Sequence, residues 1–324
     1  MVEKVYFVDS DNVNPFHNLA LQAHLINNIP DDSLVFLVWR NNDSIILGNK
    51  SNAYTECNIS QLEIEKTRLC RRESHGKTVF NDLGTLNYAF FLYMNNYNPA
   101  DQINVIYQAL ARMQLPVYIE NNEIMLNSLR LTDNNYYLKQ QRCMHAGSLY
   151  WSCDKSKRAR LLKDQTSKRD IINIVDCDPL VRYVDVKENI LQSLANLYGD
   201  VFQMTIIDDL LDYVEHYHSY KYIYDTDKKY TIRISDSYDF GPAQIYVDLY
   251  RNKILKVNLF LPQENVEVSD LIVDTFNDLV VDELQFNQRL RKVNEKYHQD
   301  FIKLFNKIKK ESYCLWAKVI LEEY

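Results

Sequence analysis

Two arginines, a serine and a glycine fall within six residues, at Arg71, Arg72, Ser74 and Gly76, in the run RRESHGKTVFNDLGTLNYAF. Guanidinium forks suit two-pronged contact with phosphate or carboxylate. A glycine lets backbone N–H groups come close to an anion. Thr78, Val79 and Phe80 read as a strand, Asn81, Asp82 and Gly84 as a turn, and Leu86 to Phe90 as a second strand. The pattern predicts a strand, a loop approaching something anionic, and a strand returning from it. On spacing alone, a plain hairpin with surface arginines competes. A second reactive pairing is Cys143 with His145, because a thiol two residues from an imidazole on a strand shares its side. The competing reading makes Cys143 a small apolar filler and His145 a structural partner.

The elements that must position these groups follow from periodicity. Val5–Val8 is an apolar strand, and Pro15 opens a helix running to Asn27. Leu34–Trp39 and Ser44–Leu47 read as strands joined by a turn at Asn41, Asn42 and Asp43, and Gln61–Glu65 is helical. A helix is expected from Pro99 to Met113, with Ile103, Ile106, Tyr107, Leu110 and Met113 forming its core stripe. Pro116–Glu120 is a strand, and helices are predicted over Lys187–Tyr198 and Ile206–Tyr217. The segment HSYKYIYDTDKK has the look of a linker. Beyond it, strands at Thr231–Ser235, Ala243–Tyr250 and Ile254–Phe260, with a turn at Arg251, Asn252 and Lys253, precede helices at Ser269–Leu279 and Val293–Lys309.

The chain has 324 residues, enough for two domains, and is 46% hydrophobic, enough for a substantial core. Its net charge of -7 argues against a general nucleic-acid binder. Six cysteines without C-x-x-C spacing, Cys314 the last of them, argue against zinc and for reduced thiols in a cytoplasmic protein. MVEKVYFVDSDN lacks the pattern of a signal peptide, and no run of 18 apolar residues suggests a membrane span.

The Arg71 stretch resembles the signature R-R-x-S-G-G-G-A-V-x-H-D-x-G-N-L-N of the lipoate–protein ligases. Arg71, Arg72, Ser74, Gly76, Val79, Asp82, Gly84, Leu86 and Asn87 fall in register. His75 and Lys77 stand at glycine positions, Thr78 at alanine, Asn81 at histidine and Thr85 at asparagine. WRNNDSIILGNKSNAYTECN is similar to a second family stretch; Asn52, Glu56 and Asn58 are kept, and Ser51 replaces glutamine. NNEIMLNSLRLTDNN followed by MHAGSL is similar to N-D-I-x-x-x-G-K-K-I-S-G-N-A and H-x-G-T-L. Asn122, Glu123 and Ile124 match the first motif, and His145, Gly147, Ser148 and Leu149 the last. This register puts Arg130 at the family's catalytic lysine, Thr132 at a serine and Asp133 at a glycine. Asp154 keeps an acid at the next helix start, and INIVDCDP replaces a basic segment.

The resemblance implies an α+β fold: mixed β-sheets flanked by helices, of the biotin/lipoate ligase kind, over residues 1–222. A small α/β accessory domain over 228–324 would follow. It implies that lipoate or octanoate is joined to magnesium-bound ATP, then passed to a lysine of a lipoyl-domain protein. The acceptor would be of the glycine-cleavage H type or the 2-oxoacid dehydrogenase E2 type. Arg130 would take the place of the catalytic ammonium, helped by Lys77 from the opposite wall. Arg71, Arg72, Ser74, His75, Gly76, Thr78, Val79, Phe80, Asn81, Asp82, Asn122, Thr132, His145, Gly147 and Ser148 would line the acyl and nucleotide site. A guanidinium does not reproduce a single ammonium contact, and Asp133 adds negative charge where phosphate is expected. Two other readings follow: a non-catalytic homologue that binds lipoyl-adenylate or a lipoyl domain, and an ATP-independent lipoyl or octanoyl transferase working through Cys143.

Overall fold

The computed structural model describes residues 2–163, 170–224, 229–250, 253–261 and 266–312. The chain divides into two compact units, Met1–Ser51 with Lys66–Ile223, and Asn52–Glu65 with Tyr224–Tyr324.

The first unit is built on a six-stranded mixed sheet. Its order is Thr132–Lys139, Arg142–Tyr150, Thr85–Tyr93, Ser33–Trp39, Lys4–Ser10 and Val201–Gln203. Every residue of Ser33–Trp39 is buried, as are all but the last of Thr85–Tyr93. Such unbroken apolar runs mark strands covered on both faces. Leu86, Tyr88, Phe90 and Leu92 point into a core shared with helices Pro99–Arg112 and Tyr183–Tyr198. The opposite face, which carries Met144, meets helix Pro15–Asn27. That helix starts where Asn14 Oδ1 accepts the Phe16 N–H, with Pro15 pre-setting the first turn.

Two expected hairpins are absent. Ser33–Trp39 lies in the six-stranded sheet, whereas Ser44–Leu47 belongs to a three-stranded sheet with Arg68–Arg71 and Val79–Asn81. Val79–Asn81 and Thr85–Tyr93 are likewise divided between the two sheets. For the second pair the reason lies in the turn. Asp82 accepts from Gly84 N, Thr85 Oγ1 and Asp154 N, so the turn is pinned to a distant segment. The helix expected from Ile206 begins at Leu211, whose N–H is held by Asp209 Oδ1. Of the segment read as a linker, residues 220–224 form a short helix, and residues 225–228 lie outside the described residues.

In the second unit, strands Tyr230–Tyr238, Gly241–Tyr250 and Lys253–Phe260 form an antiparallel sheet, with largely alternating burial in the first two, while the third buries Ile254 and Val257. Helices Val266–Phe276, Glu283–Leu290 and His298–Ser312 accompany it. Glu283–Leu290 escaped the periodicity reading, although Asp282 caps it through Leu284 N and Gln285 N. Residues 52–65 also belong here, with Tyr54 stacked on Tyr230 at 4.8 Å. Arg251 and Asn252 of the expected turn, residue 228 at the expected domain start, and Cys314 lie outside the described residues.

Candidate active site

The Arg71 stretch forms a tightly tied loop. Arg71 is buried and spends its guanidinium on carbonyls: Gly48 O and Ser51 O, each at 2.8 Å, Asn49 O, Tyr222 O, and Ile223 O at 2.6 Å. Arg72 donates to Ile46 O at 3.1 Å, His75 O at 3.3 Å and Lys77 O at 2.7 Å. The two arginines therefore fasten backbone. Arg72 sets the shape of residues 75–77, where Gly76 takes a φ of 115° that favours glycine. His75, Gly76 and Lys77 are exposed. Thr78 and Phe80 are buried, and Val79 and Phe80 pair with Ile46 and Ile45.

The loop lies on one face of the large sheet. Ser74 Oγ donates to Asn135 Oδ1 at 2.7 Å. In register, Asp133 stands opposite Ser148 and Asn135 opposite Ala146, and Ser148 in turn faces Asn87. Alternation places Asp133, Asn135, Tyr137, Ser148, Tyr150 and Asn87 on this same face. Ser148 Oγ donates to Asn87 Oδ1 at 2.7 Å. Asn81 Nδ2 reaches Ser148 Oγ at 3.5 Å, and Asn81 Oδ1 accepts from Asn41 at 3.0 Å. Asn87 Nδ2 is buried and has no acceptor among the described residues. Asp82 serves the turn beside this network, with burial holding its carboxyl above the ordinary value.

A row of alternating charges crosses the site. Arg130, 1% exposed, sets Nη1 2.8 Å from Asp133 Oδ1 and 3.9 Å from Glu123 Oε1. Glu123 Oε1 is also 3.7 Å from Lys77 Nζ, so Lys77 and Arg130 share one carboxylate oxygen. Tyr150 donates its hydroxyl to Asp133 Oδ2. Burial, and then the Asp133 charge, push this phenol well above its ordinary pKa, so it stays a donor. Among the described residues, Arg130 Nε has no acceptor, and no N–H of Nη1 is aligned on one. The Arg130–Asp133 contact is thus a charge pairing with poor hydrogen-bond geometry, and it leaves donor capacity unspent.

Other expected site residues lie elsewhere. His145 and Gly147 sit on the opposite face, towards helix Pro99–Arg112. His145 is fully buried, with Nδ1 3.2 Å from Gln102 Oε1, Nε2 3.0 Å from Asn134 Oδ1, and its ring stacked on Tyr136 at 4.7 Å. Desolvation pushes its pKa down to about 3. A Cβ on Gly147 would overlap the ring and hydroxyl of Tyr88, which donates to Asn134 Oδ1. Thr132 Oγ1 accepts from Ile124 N, and Asn122, at φ 61°, offers its carbonyl to Asn134 Nδ2. Cys143 shares the His145 face and is buried, with desolvation raising its thiol pKa. That shift disfavours the thiolate a transferase would use.

Beside the loop, Leu19, Gln22, Ala23, Ile26, Arg72, Glu73, Tyr137, Met144 and Tyr217 line a cavity of about 20 Å³, room for about one water. Among the described residues, no group of three His, Cys, Asp or Glu side chains could hold a metal ion. None of their helices is long and apolar enough to cross a membrane. The sequence reading missed Asn87, Asn135 and Tyr150 as neighbours of the charge row. The signal was available in the strict alternation 133–135–137 and 148–150.

A loop clasped by arginines over a mixed, helix-flanked sheet defines an α+β domain of the lipoate ligase kind. The chain matches the family model described as lipoyl protein ligase A/B catalytic domain over residues 14–194. It therefore belongs to the lipoyl protein ligase A/B family. It is 21% identical over 318 residues to a lipoate-protein ligase A of Psychrobacter cryohalolentis, covering 91% of this chain and 94% of that one. In fold it is similar to P. falciparum LipL1, solved with lipoate, at a TM-score of 0.62 and 18% identity, covering 94% of this chain and 98% of that chain. It is also similar to a bipartite lipoate protein ligase of Thermoplasma acidophilum, described with its E2 lipoyl domain. There the TM-score is 0.61 at 13% identity, with 69% of this chain and 96% of that chain covered.

Proposed function

We propose that this protein is a lipoate–protein ligase. Lipoate or octanoate would attack the α-phosphorus of ATP, releasing pyrophosphate and forming an acyl-adenylate. A lysine amine of a lipoyl-domain protein would then attack the acyl carbonyl, releasing AMP. The observation that carries the reading is that two buried donors, Arg130 Nε and Asn87 Nδ2, find no acceptor among the described residues near the face covered by the Arg72-fastened loop. Unspent buried donors are costly unless an oxygen-rich ligand takes them, and an acyl phosphate anhydride supplies such oxygens. Arg130 is the charge-stabilising group and Lys77 its counterpart across Glu123. Magnesium would arrive on the nucleotide phosphates, as it does where a protein builds no cage for it. The acceptor is an H-type or E2-type lipoyl domain, and the setting is cytoplasmic.

A second reading has one specific support, the Asp133 carboxylate beside Arg130, which opposes phosphate. On that reading the protein binds lipoyl-adenylate or a lipoyl domain without making the adenylate. Incubation with ATP, lipoate and a lipoyl-domain protein separates the two. Pyrophosphate with an acyl mass shift on the acceptor supports the ligase. Tight ligand binding with neither product overturns it in favour of the second reading. Acyl transfer from an acylated donor protein without ATP overturns both.

A further inference from the structure

We infer that Asp133 is a specificity-determining residue that acts as an internal anion: its carboxylate competes with the phosphate of a bound nucleotide for Arg130. The inference rests on the ligase-type site proposed above and concerns which charged partners that site admits.

Asp133 has the position and the contacts for this role. It sits on the sheet face beneath the 74–77 loop, opposite Ser148 in register. It is 7% exposed. Both its oxygens are engaged, Oδ1 beside Arg130 Nη1 at 2.8 Å and Oδ2 by the Tyr150 hydroxyl. A carboxylate held by a guanidinium and a neutral phenol is held as an incoming anion would be. Among the described residues, Arg130 is nevertheless left with an Nε that finds no acceptor and an Nη1 not aligned on one. The internal partner therefore satisfies the charge of Arg130 and not its hydrogen bonds. Glu123, 3.9 Å away, adds a second negative charge on the same guanidinium. Phosphate oxygens must either displace Asp133 or approach it against repulsion. The penalty grows with ligand charge, so ATP and pyrophosphate suffer more than a singly charged acyl-adenylate.

The test measures binding of inorganic pyrophosphate and of ATP, by calorimetry at fixed ionic strength, to the wild type, Asp133→Asn and Asp133→Gly. Because either change strands a buried guanidinium, the paired variant Arg130→Lys with Asp133→Gly is measured too, with thermal unfolding as the check on folding. Pyrophosphate binding is expected to tighten about ten- to hundredfold in the variants, the weight of one charge-assisted hydrogen bond. Adding Arg130→Ala to Asp133→Asn should abolish the gain. Folded variants that bind pyrophosphate no more tightly than the wild type overturn the inference. A gain that survives loss of Arg130 overturns it as well. The ligase reading is judged separately: acyl transfer by the wild type with no binding gain in the variants sinks only this inference, and a binding gain without acyl transfer anywhere sinks only the ligase.

Discussion

The Tyr217 hydroxyl donates to Glu73 Oε1 at 3.1 Å, across 144 residues of sequence. The bond fastens helix Leu211–His218 to the loop between Arg72 and Ser74, at the wall of the small cavity. Tyr137 lines the same cavity, its phenol raised by burial and by Glu73. Tyr217→Phe should cost about 1 kcal/mol in urea unfolding, the net worth of one hydrogen bond. Tyr217→Ala should cost ~3–5 kcal/mol, as for other large aromatic truncations.

Arg71 offers a contrast between charge and shape. Its donors end on carbonyls of residues 48–51 and 222–223. Lysine brings a single point of contact and leaves several carbonyls without their donor. Arg71→Lys should lower stability by at least ~2 kcal/mol, with the Kd for ATP changed less than twofold in the folded fraction.

Lys77 and Arg130 meet at Glu123 Oε1, at 3.7 and 3.9 Å. If it stabilises the developing charge, Lys77→Ala slows pyrophosphate release by roughly 10²-fold, the usual weight of one aimed donor. Lys77→Arg should recover part of that rate. Unchanged release would remove Lys77 from the chemistry.

His145 carries a pH signature. Its folded pKa of about 3 lies below the ordinary value near 6.5 because burial disfavours the charged ring. Above pH 6.5 both folded and unfolded forms are neutral, and the His145 contribution is complete. As pH falls from 6.5 towards 3, only the unfolded chain takes the proton, so stability drops. Between pH 6.5 and pH 5 the loss should be ~2 kcal/mol, at about 1.4 kcal/mol per pH unit. Chemical denaturation of wild type against His145→Gln checks it, since the variant should lack that slope.

Gly147 lies under Tyr88, and any Cβ there meets the ring. Gly147→Ala should cost ~1–3 kcal/mol through overpacking. Pairing it with Tyr88→Leu should cost less than the sum of the two single changes, as read from thermal unfolding.

Periodicity located three strands of the large sheet, at Val5–Val8, Leu34–Trp39 and Leu86–Phe90, and the helices at Pro15 and Pro99, because each buries a continuous stripe or run; Thr132–Lys139, Arg142–Tyr150 and Val201–Gln203 escaped it. It could not assign strands to sheets. Asn81 and Thr85 are four residues apart and serve different sheets, since the Asp82 carboxylate turns the chain by binding Asp154 N, and no local pattern carries that bond. Motif matching brought Arg72, Ser74, Asn81, Ser148 and Arg130 to one region. It also gathered His145 and Gly147, which the two-residue alternation places on the far side of the same strand from Ser148. Arg71 and Arg72 illustrate the other limit. Charge is legible in sequence, but whether a guanidinium meets a ligand or a carbonyl depends on which backbone lies within reach.

The segment 52–65 gives the chain three crossings between its two units, at 51/52, 65/66 and 223/224. Ala53, Cys57, Ile59 and Leu62 are buried and belong to the unit that also holds Tyr230, and Ser60 Oγ reaches Lys310 O at 3.5 Å. A protease nick or stop codon after residue 223 would therefore leave an apolar flap in the surviving fragment, stripped of its cover. No single cut separates these two halves cleanly, and a gene truncated there should yield inclusion bodies rather than an independent enzyme.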